Sequence, residues 1–172
     1  MCIRDRVGVT ARIDPFEMPT LWLPKNTRLN VENFPAFKPE VVSKYHSPVG
    51  NYQANLVSVG NGTPDEFAAL EGKLEDKFVL VEMDLCLDIG GLFAEYAAAT
   101  VVEQEARKAK VKGIIFMASR PKKLLYRFIT SRAIDESLPQ LVMAREDAKR
   151  CQRLLEEGNE LKLNLDLSLI HI

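Results

Sequence analysis

Few residues of this 172-residue chain have the types and spacing that side-chain catalysis requires. His46 is the only histidine outside the last six residues, and no serine occupies the GxSxG setting of a nucleophile elbow. Cys86, in the sequence DLCLD, has no second histidine to orient and activate its thiol. Catalytic zinc sites usually draw on several histidines together with carboxylates. The sequence therefore predicts no catalytic residue and no metal ligand in this chain.

A basic, aromatic segment is the more informative feature. Ser119–Arg132 (SRPKKLLYRFITSR) contains five cations and no acid. Long loops with aromatic residues between core strands often bind ligands, although the composition also suits a loop with packed aromatics and solvated charges. The candidate residues for contact with a peptide or a partner protein are Arg120, Lys122, Lys123, Tyr126, Arg127 and Arg132.

The composition excludes several classes of protein. The chain is 47% hydrophobic and 27% charged, and its 23 basic and 24 acidic residues give a net charge of −1. A nucleic-acid-binding protein is usually strongly basic, so we expect no nucleic-acid partner. The sequence has no apolar run long enough for a transmembrane helix, and three cysteines are too few for a disulfide framework.

Both ends of the sequence have an unusual property. MCIRDR and LSLIHI can be back-translated as ATGTGTATAAGAGACAG and CTGTCTCTTATACACATC, which are reverse complements over their shared length. These strings resemble the transposon ends used in sequencing-library adapters. We therefore expect residues 1–6 and 167–172 to be translated adapter, and Val7–Asp166 to be the protein-derived segment.

The hydrophobic pattern predicts alternating strands and helices. Val7–Pro24 is interrupted by prolines, so we expect residues 7–44 to form an extended arm. Helices are expected at Pro64–Leu70, Leu92–Lys110 and Arg145–Glu157, the first with Thr63 as its N-cap. Expected strands are Thr20–Leu23, Thr27–Val31, Gln53–Val59, Lys77–Met83, Gly113–Met117, Pro139–Ala144 and Leu161–Asp166. This order is typical of a mixed α/β domain.

Two local expectations refine this prediction. In the longest helix, Phe93, Ala97, Thr100 and Val101 share one stripe, which we expect to face the core. The glycines of Gly60–Gly62 and of Gly90–Gly91 are expected in turns with positive φ.

The run from Ser47 to Leu165 resembles a protease-associated (PA) domain. The resemblance is carried by the entry SPVG, the strand ANLVSVGNG, the segment PDEFAALEGKLEDK, the strand KFVLVEM with its Cys-containing loop, and the segments GIIFMAS and LPQLVMAREDAKRC. The preceding MPTLWLPKNTRLNV looks most like the arm of PA domains inserted in zinc aminopeptidases of the transferrin-receptor and glutamate-carboxypeptidase clan. The resemblance implies a PA domain over residues 45–166, an α/β fold with a small β-sandwich or open barrel flanked by helices.

In that family the module is non-catalytic and shapes substrate access or protein contacts beside a zinc peptidase domain. The resemblance thus implies a parent zinc metallopeptidase, a peptidase domain in the same chain as partner, a peptide or protein substrate, and a secreted or periplasmic location. It places zinc in the missing domain and no cofactor in this fragment. Alternatives are a PA insert of a subtilisin-like serine protease, a cargo-binding PA domain of a sorting or scaffold protein, and an unrelated α/β module.

Overall fold

A computed structural model describes residues 14–15, 23–126 and 138–170. Three helices and seven strands occur in these ranges. They are β1 (Pro24–Val31), β2 (Val41–Ser43), β3 (Gly50–Ser58), α1 (Pro64–Ala69), β4 (Phe78–Val81), α2 (Ile89–Lys108), β5 (Gly113–Met117), β6 (Gln140–Met143), α3 (Arg145–Glu156) and β7 (Lys162–Leu169). The expected helices and most expected strands are present with small differences at their ends, whereas β2 was not expected.

All seven strands belong to one mixed sheet with the order β1-β7-β3-β4-β5-β6-β2. Strands β3, β4, β5 and β6 run parallel to one another, whereas β7 pairs antiparallel with β1 and β3, and β2 pairs antiparallel with β6. The two edge strands approach each other, where the Thr27 and Ser43 hydroxyl oxygens lie 3.1 Å apart. The molecule is therefore an α/β protein with a nearly closed, barrel-like sheet, as the sequence predicts in outline.

Strands β1 and β2 belong to this sheet although their residues fall within the range expected to form an arm. Leu29 and Val31 of β1 are buried in the core, and Phe37 is buried in the connection to β2. The expected strand at Thr20–Leu23 lies outside the described residues except for Leu23, and β7 extends past the expected end of the domain at Asp166. The domain boundaries remain predictions.

The central strands are buried on both faces, which explains their continuous apolar sequences. Every residue of β4, β5 and β6 is buried. Parallel strands carry helices on both faces of the sheet, so both sets of alternating side chains enter a core. One core contains Val79, Phe116 and the buried residues of α2, and the other contains Leu80, Ile115 and the buried residues of α3.

The face of α2 that enters the core differs from the expected stripe. Phe93 is 67% exposed, and the buried apolar residues are Ala99, Val102 and Ala106. Two glutamates on this face, Glu95 and Glu103, are also buried. The predicted stripe was wrong because the helix turns these two glutamates inward, where they meet polar partners from distant parts of the chain.

The two glycine pairs also behave differently from each other. Gly60 and Gly62 have φ values of 58° and 73°, as expected. Gly90 and Gly91 instead form the first turn of α2, where the Asp88 carboxylate accepts a 2.8 Å hydrogen bond from the Gly91 N–H. Asp88 is the N-cap, so the helix begins three residues earlier than expected.

Candidate functional site

Two loops meet where β4 and β5 end, and together they form the candidate site. The Cys86 N–H donates a 3.0 Å hydrogen bond to the Ser119 carbonyl, which links the loop after β4 to the segment after β5. Arg145, the first residue of α3, donates to the Met83 carbonyl at 2.7 Å and to the Ala118 carbonyl at 3.3 Å. The carboxyl edge of a parallel sheet is where α/β proteins commonly bind ligands.

A buried polar cluster fixes the start of the basic segment to α2. Tyr126 donates its hydroxyl proton to the Glu95 carboxylate. The Ser119 hydroxyl lies 3.1 Å from the same carboxylate oxygen and 3.0 Å from the Tyr126 hydroxyl. Burial, and then the hydrogen bond to Glu95, raise the pKa of Tyr126 far above its usual range. Tyr126 therefore remains a neutral phenol and holds its segment against the helix.

Arg120 lies on top of this cluster. Its guanidinium carbon lies 5.1 Å from the centre of the Tyr126 ring, in cation–π contact. One guanidinium nitrogen lies 3.9 Å from the sulfur of Cys86. Within the described ranges no carboxylate forms an ion pair with Arg120. The guanidinium is thus held between Tyr126 and Cys86 without a carboxylate partner among the described residues.

The two lysines of the segment have different surroundings. Lys122 and Lys123 have positive φ values, and their N–H groups donate to the Glu146 carboxylate at 2.6 and 3.0 Å. The Lys123 ammonium lies 2.6 Å from Glu40 and 3.6 Å from Asp147, and the hydrogen bond to Glu40 raises the pKa of Lys123. Lys122 is exposed. Among the described residues, Lys123 thus has carboxylate partners, whereas Arg120 has none.

The remaining candidates, Arg127 and Arg132, lie outside the described residues. Their contact with a peptide or partner stays a prediction, as it does for Arg120, Lys122, Lys123 and Tyr126. The structure brings Arg120 and Tyr126 together and places the two lysines beside α3.

Exposed apolar side chains lie along the chain on both sides of Cys86, the residue that Arg120 contacts, and they were not predicted from the sequence. Leu85 and Leu87 flank Cys86 and are 46% and 86% exposed, and Ile89 is 73% exposed. Phe93 follows Ile89 by one helical turn. We call Leu85, Leu87, Ile89 and Phe93 the apolar rim. Its sequence signal is the alternation LCLDI directly after a buried strand, which continues the apolar pattern beyond the end of β4.

The described residues contain no group of metal-ligating side chains, and of the two free thiols among them one is buried. Within residues 14–15, 23–126 and 138–170, no three His, Cys, Asp or Glu side chains gather as a metal site would need. Cys151 is buried, and this burial raises its pKa to about 12, so the thiol stays protonated. Cys86 is half-exposed beside Arg120 rather than in the core. No helix in the described part of the chain is long and apolar enough to cross a membrane.

Comparison with solved structures shows where this fold occurs. An aminopeptidase from Aneurinibacillus sp. strain AM-1 matches with a TM-score of 0.63 and 18% identity over 85% of this chain and 31% of its own. A peptidase M28 precursor from Shewanella amazonensis matches with a TM-score of 0.63 and 17% identity over 87% of this chain and 36% of its own. A zinc aminopeptidase from Bacillus subtilis matches with a TM-score of 0.62 and 16% identity over 90% of this chain and 32% of its own.

The chain shares the fold of one part of these enzymes. It spans about one third of the length of each. No family model matches the sequence, and no curated protein matches it. At 16–18% identity, the likeness therefore concerns the fold alone.

Proposed function

We propose that this chain is a non-catalytic accessory domain of the protease-associated type, belonging to a zinc aminopeptidase, and that it shapes the access of peptides. The supporting observation is that nearly the whole chain matches one third of several aminopeptidases, at TM-scores of 0.62 to 0.63. Zinc and the catalytic residues would belong to the peptidase domain. This chain would contribute the loops at the carboxyl edge of its parallel strands. The candidate contacts for the peptide or the peptidase domain are Arg120, Lys122, Lys123, Tyr126, Arg127 and Arg132.

The geometry of β1 and β7 suits a domain that is inserted into another. Arg28 of β1 pairs with Asp166 of β7, the last residue of the segment that is expected to be protein-derived. The chain thus enters and leaves the sheet at neighbouring positions, and such a module can interrupt a loop of a host domain without separating that loop's ends.

The test is to recover the coding DNA on both sides of the segment that encodes residues 7–166 and to express the complete protein. We expect a flank rich in His, Asp and Glu, and hydrolysis of leucine p-nitroanilide that a chelator abolishes and added zinc restores. A variant with its flanking zinc ligands replaced by alanine serves as the control for contaminating peptidase.

Two other results would overturn the proposal. Hydrolysis that resists chelators and is blocked by a serine-directed inhibitor would indicate a subtilisin-like protease. A membrane anchor without any peptidase domain would indicate a sorting or scaffold protein.

A further inference from the structure

We propose that Arg120 and the apolar rim together bind a peptide carboxylate that lies next to an apolar side chain. This inference rests on the proposed function, since it states which peptides would be preferred at the carboxyl edge of the sheet, where the domain would shape peptide access. Its ligand chemistry follows from three features of the described residues: a preorganised guanidinium, an uncompensated charge and adjoining exposed apolar groups.

The guanidinium of Arg120 is oriented before any ligand arrives. Its central carbon lies over the Tyr126 ring, 5.1 Å from the ring centre, and the Tyr126 hydroxyl is hydrogen-bonded to Glu95 and Ser119. Glu95 and Ser119 are both buried, so the platform below Arg120 is part of the folded core. A long side chain that is already ordered loses less conformational entropy when it binds.

Among the described residues, the sulfur of Cys86 is the one hydrogen-bond acceptor that the Arg120 guanidinium contacts. Its contact with the Cys86 sulfur, at 3.9 Å, is with a weak acceptor, whereas a guanidinium has five N–H donors. A carboxylate can accept two of these in parallel, which gives a short, charge-assisted and directional pair. Lys123 cannot substitute for Arg120 in this role because Glu40 and Asp147 already compensate its charge.

The apolar rim includes the two residues on either side of Cys86, the residue that contacts the Arg120 guanidinium. Leu85 and Leu87 are the chain neighbours of Cys86, whose sulfur touches the guanidinium, and Ile89 and Phe93 continue along the first turns of α2. Burying an apolar side chain of the ligand against them removes apolar surface from water on both sides, at about 25 cal/mol per Å². It also excludes water near the ion pair, which strengthens the electrostatic attraction.

The experiment is a titration of the ¹⁵N-labelled 172-residue chain followed by NMR, with the side-chain Nε–Hε signal of Arg120 as the probe. The ligands are N-acetyl-leucyl-leucine, its C-terminal amide, and N-acetyl-glutamyl-leucinamide. We expect saturable binding of a ligand that has a carboxylate, and at least tenfold weaker binding of the amide. The first and third peptides distinguish a terminal carboxylate from a side-chain carboxylate.

Four variants, one of them a control, distinguish the contribution of the guanidinium from that of the apolar rim. We expect R120A to lower the affinity for the carboxylate peptide at least tenfold, and R120K to restore part of it because the charge returns without the planar fork. We expect L87S to weaken N-acetyl-leucyl-leucine about threefold and to leave N-acetyl-glycine unchanged. R153A removes an exposed arginine from the last turn of α3 and should bind like the wild type.

Equal binding of N-acetyl-leucyl-leucine and its amide would overturn the proposal. So would wild-type affinity in a folded R120A variant, or a loss of affinity in R153A as large as that in R120A. Absence of binding to the wild type at millimolar peptide would overturn it as well. Octanoate binding more tightly than every peptide would assign the site to a lipid instead. None of these results depends on a zinc peptidase domain, so they are distinguishable from failure of the proposed function.

Discussion

At the scale of single residues, Tyr126 joins a surface segment to a buried carboxylate. We expect Tyr126→Phe to lower the free energy of unfolding by about 1–3 kcal/mol, because Glu95 loses a hydrogen-bond donor inside the protein. Urea unfolding followed by circular dichroism measures this change. Tyr52→Phe is the matched control, since the Tyr52 hydroxyl donates to backbone carbonyls near the surface and its loss should cost less. Equal losses in the two variants would contradict the role of Glu95.

Glu82 should make the stability depend on pH in the acid range. Hydrogen bonds from Lys149 and then Gln152 hold the pKa of Glu82 below its usual 4.5. The folded state therefore binds the proton less tightly than the unfolded state, and the stabilisation is present above pH 4.5 and lost as the pH falls through the folded pKa. We expect E82Q to lose less stability than the wild type in urea unfolding between pH 5 and about pH 3.

Lys149 supplies the control for this pH dependence. K149M removes the hydrogen bond that contributes most to the lowered pKa of Glu82. Like E82Q, it should therefore lose less stability than the wild type between pH 5 and about pH 3. If both variants lose as much stability as the wild type over this pH range, other carboxylates determine the pH dependence of the free energy of unfolding. Glu66 also has a lowered pKa, through its hydrogen bonds from Thr63 and neighbouring N–H groups, so some slope should remain in E82Q.

At the scale of elements, the short helix α1 depends on its N-terminal cap. The Thr63 side chain accepts a hydrogen bond from the Glu66 N–H, and the Glu66 carboxylate accepts one from the Thr63 N–H at 2.9 Å. We expect Thr63→Ala to lower the free energy of unfolding by about 1 kcal/mol. Thr63→Ser keeps the oxygen and should retain most of this stability in the same urea measurement. A loss in the serine variant equal to that in the alanine variant would exclude the cap as the cause.

Elements with local signals could be predicted from the sequence, and elements that depend on distant partners could not. The strands β4, β5 and β6 are continuous apolar runs, and Thr63, Pro64 and Glu66 mark the start of α1. Strand β2 has only three residues and pairs with β6, almost 100 residues away in the chain. A strand this short has too few residues to show an alternating pattern.

The orientation of α2 illustrates the same limit. Lys44 lies in the connection after β2 and forms a buried ion pair with Glu103 at 2.9 Å. Glu95 likewise meets Tyr126 and Ser119. A buried charge is tolerated only with such partners, and neither pairing is visible from the spacing of residues in the helix. The predicted stripe through Phe93 therefore placed the wrong face against the sheet.

At the scale of the whole molecule, the apolar rim should behave as surface and the sheet as core. We expect the double variant L87S/F93S to change the free energy of unfolding by no more than about 0.5 kcal/mol, because both side chains are exposed. Binding of a hydrophobic dye to the folded chain should fall. Leu163→Ala is the control from the core and should cost about 2–5 kcal/mol. A large loss of stability in L87S/F93S would show that the rim packs within this chain.

The candidate site could be predicted in part. Arg120 and Tyr126 were selected because cations and aromatics share one loop, and the structure shows them in contact. The compensation of Lys123 could not be predicted, because Glu40 lies more than 80 residues away in the chain. The rim was not predicted, because the sequence of a loop does not show which of its apolar side chains are exposed.

The position of β7 has a consequence for synthesis. β7 is the last strand along the chain, yet it lies between β1 and β3 and pairs with both. As the chain leaves the ribosome, β1 has no strand to pair with until residues 162–169 have emerged. The β1 backbone and the adjoining edge of β3 are unpaired throughout that interval, and unpaired strand edges associate readily with other chains. Slow translation of the codons for residues 162–169 would lengthen this interval, and a chaperone that covers extended segments would protect the unpaired edges while it lasts.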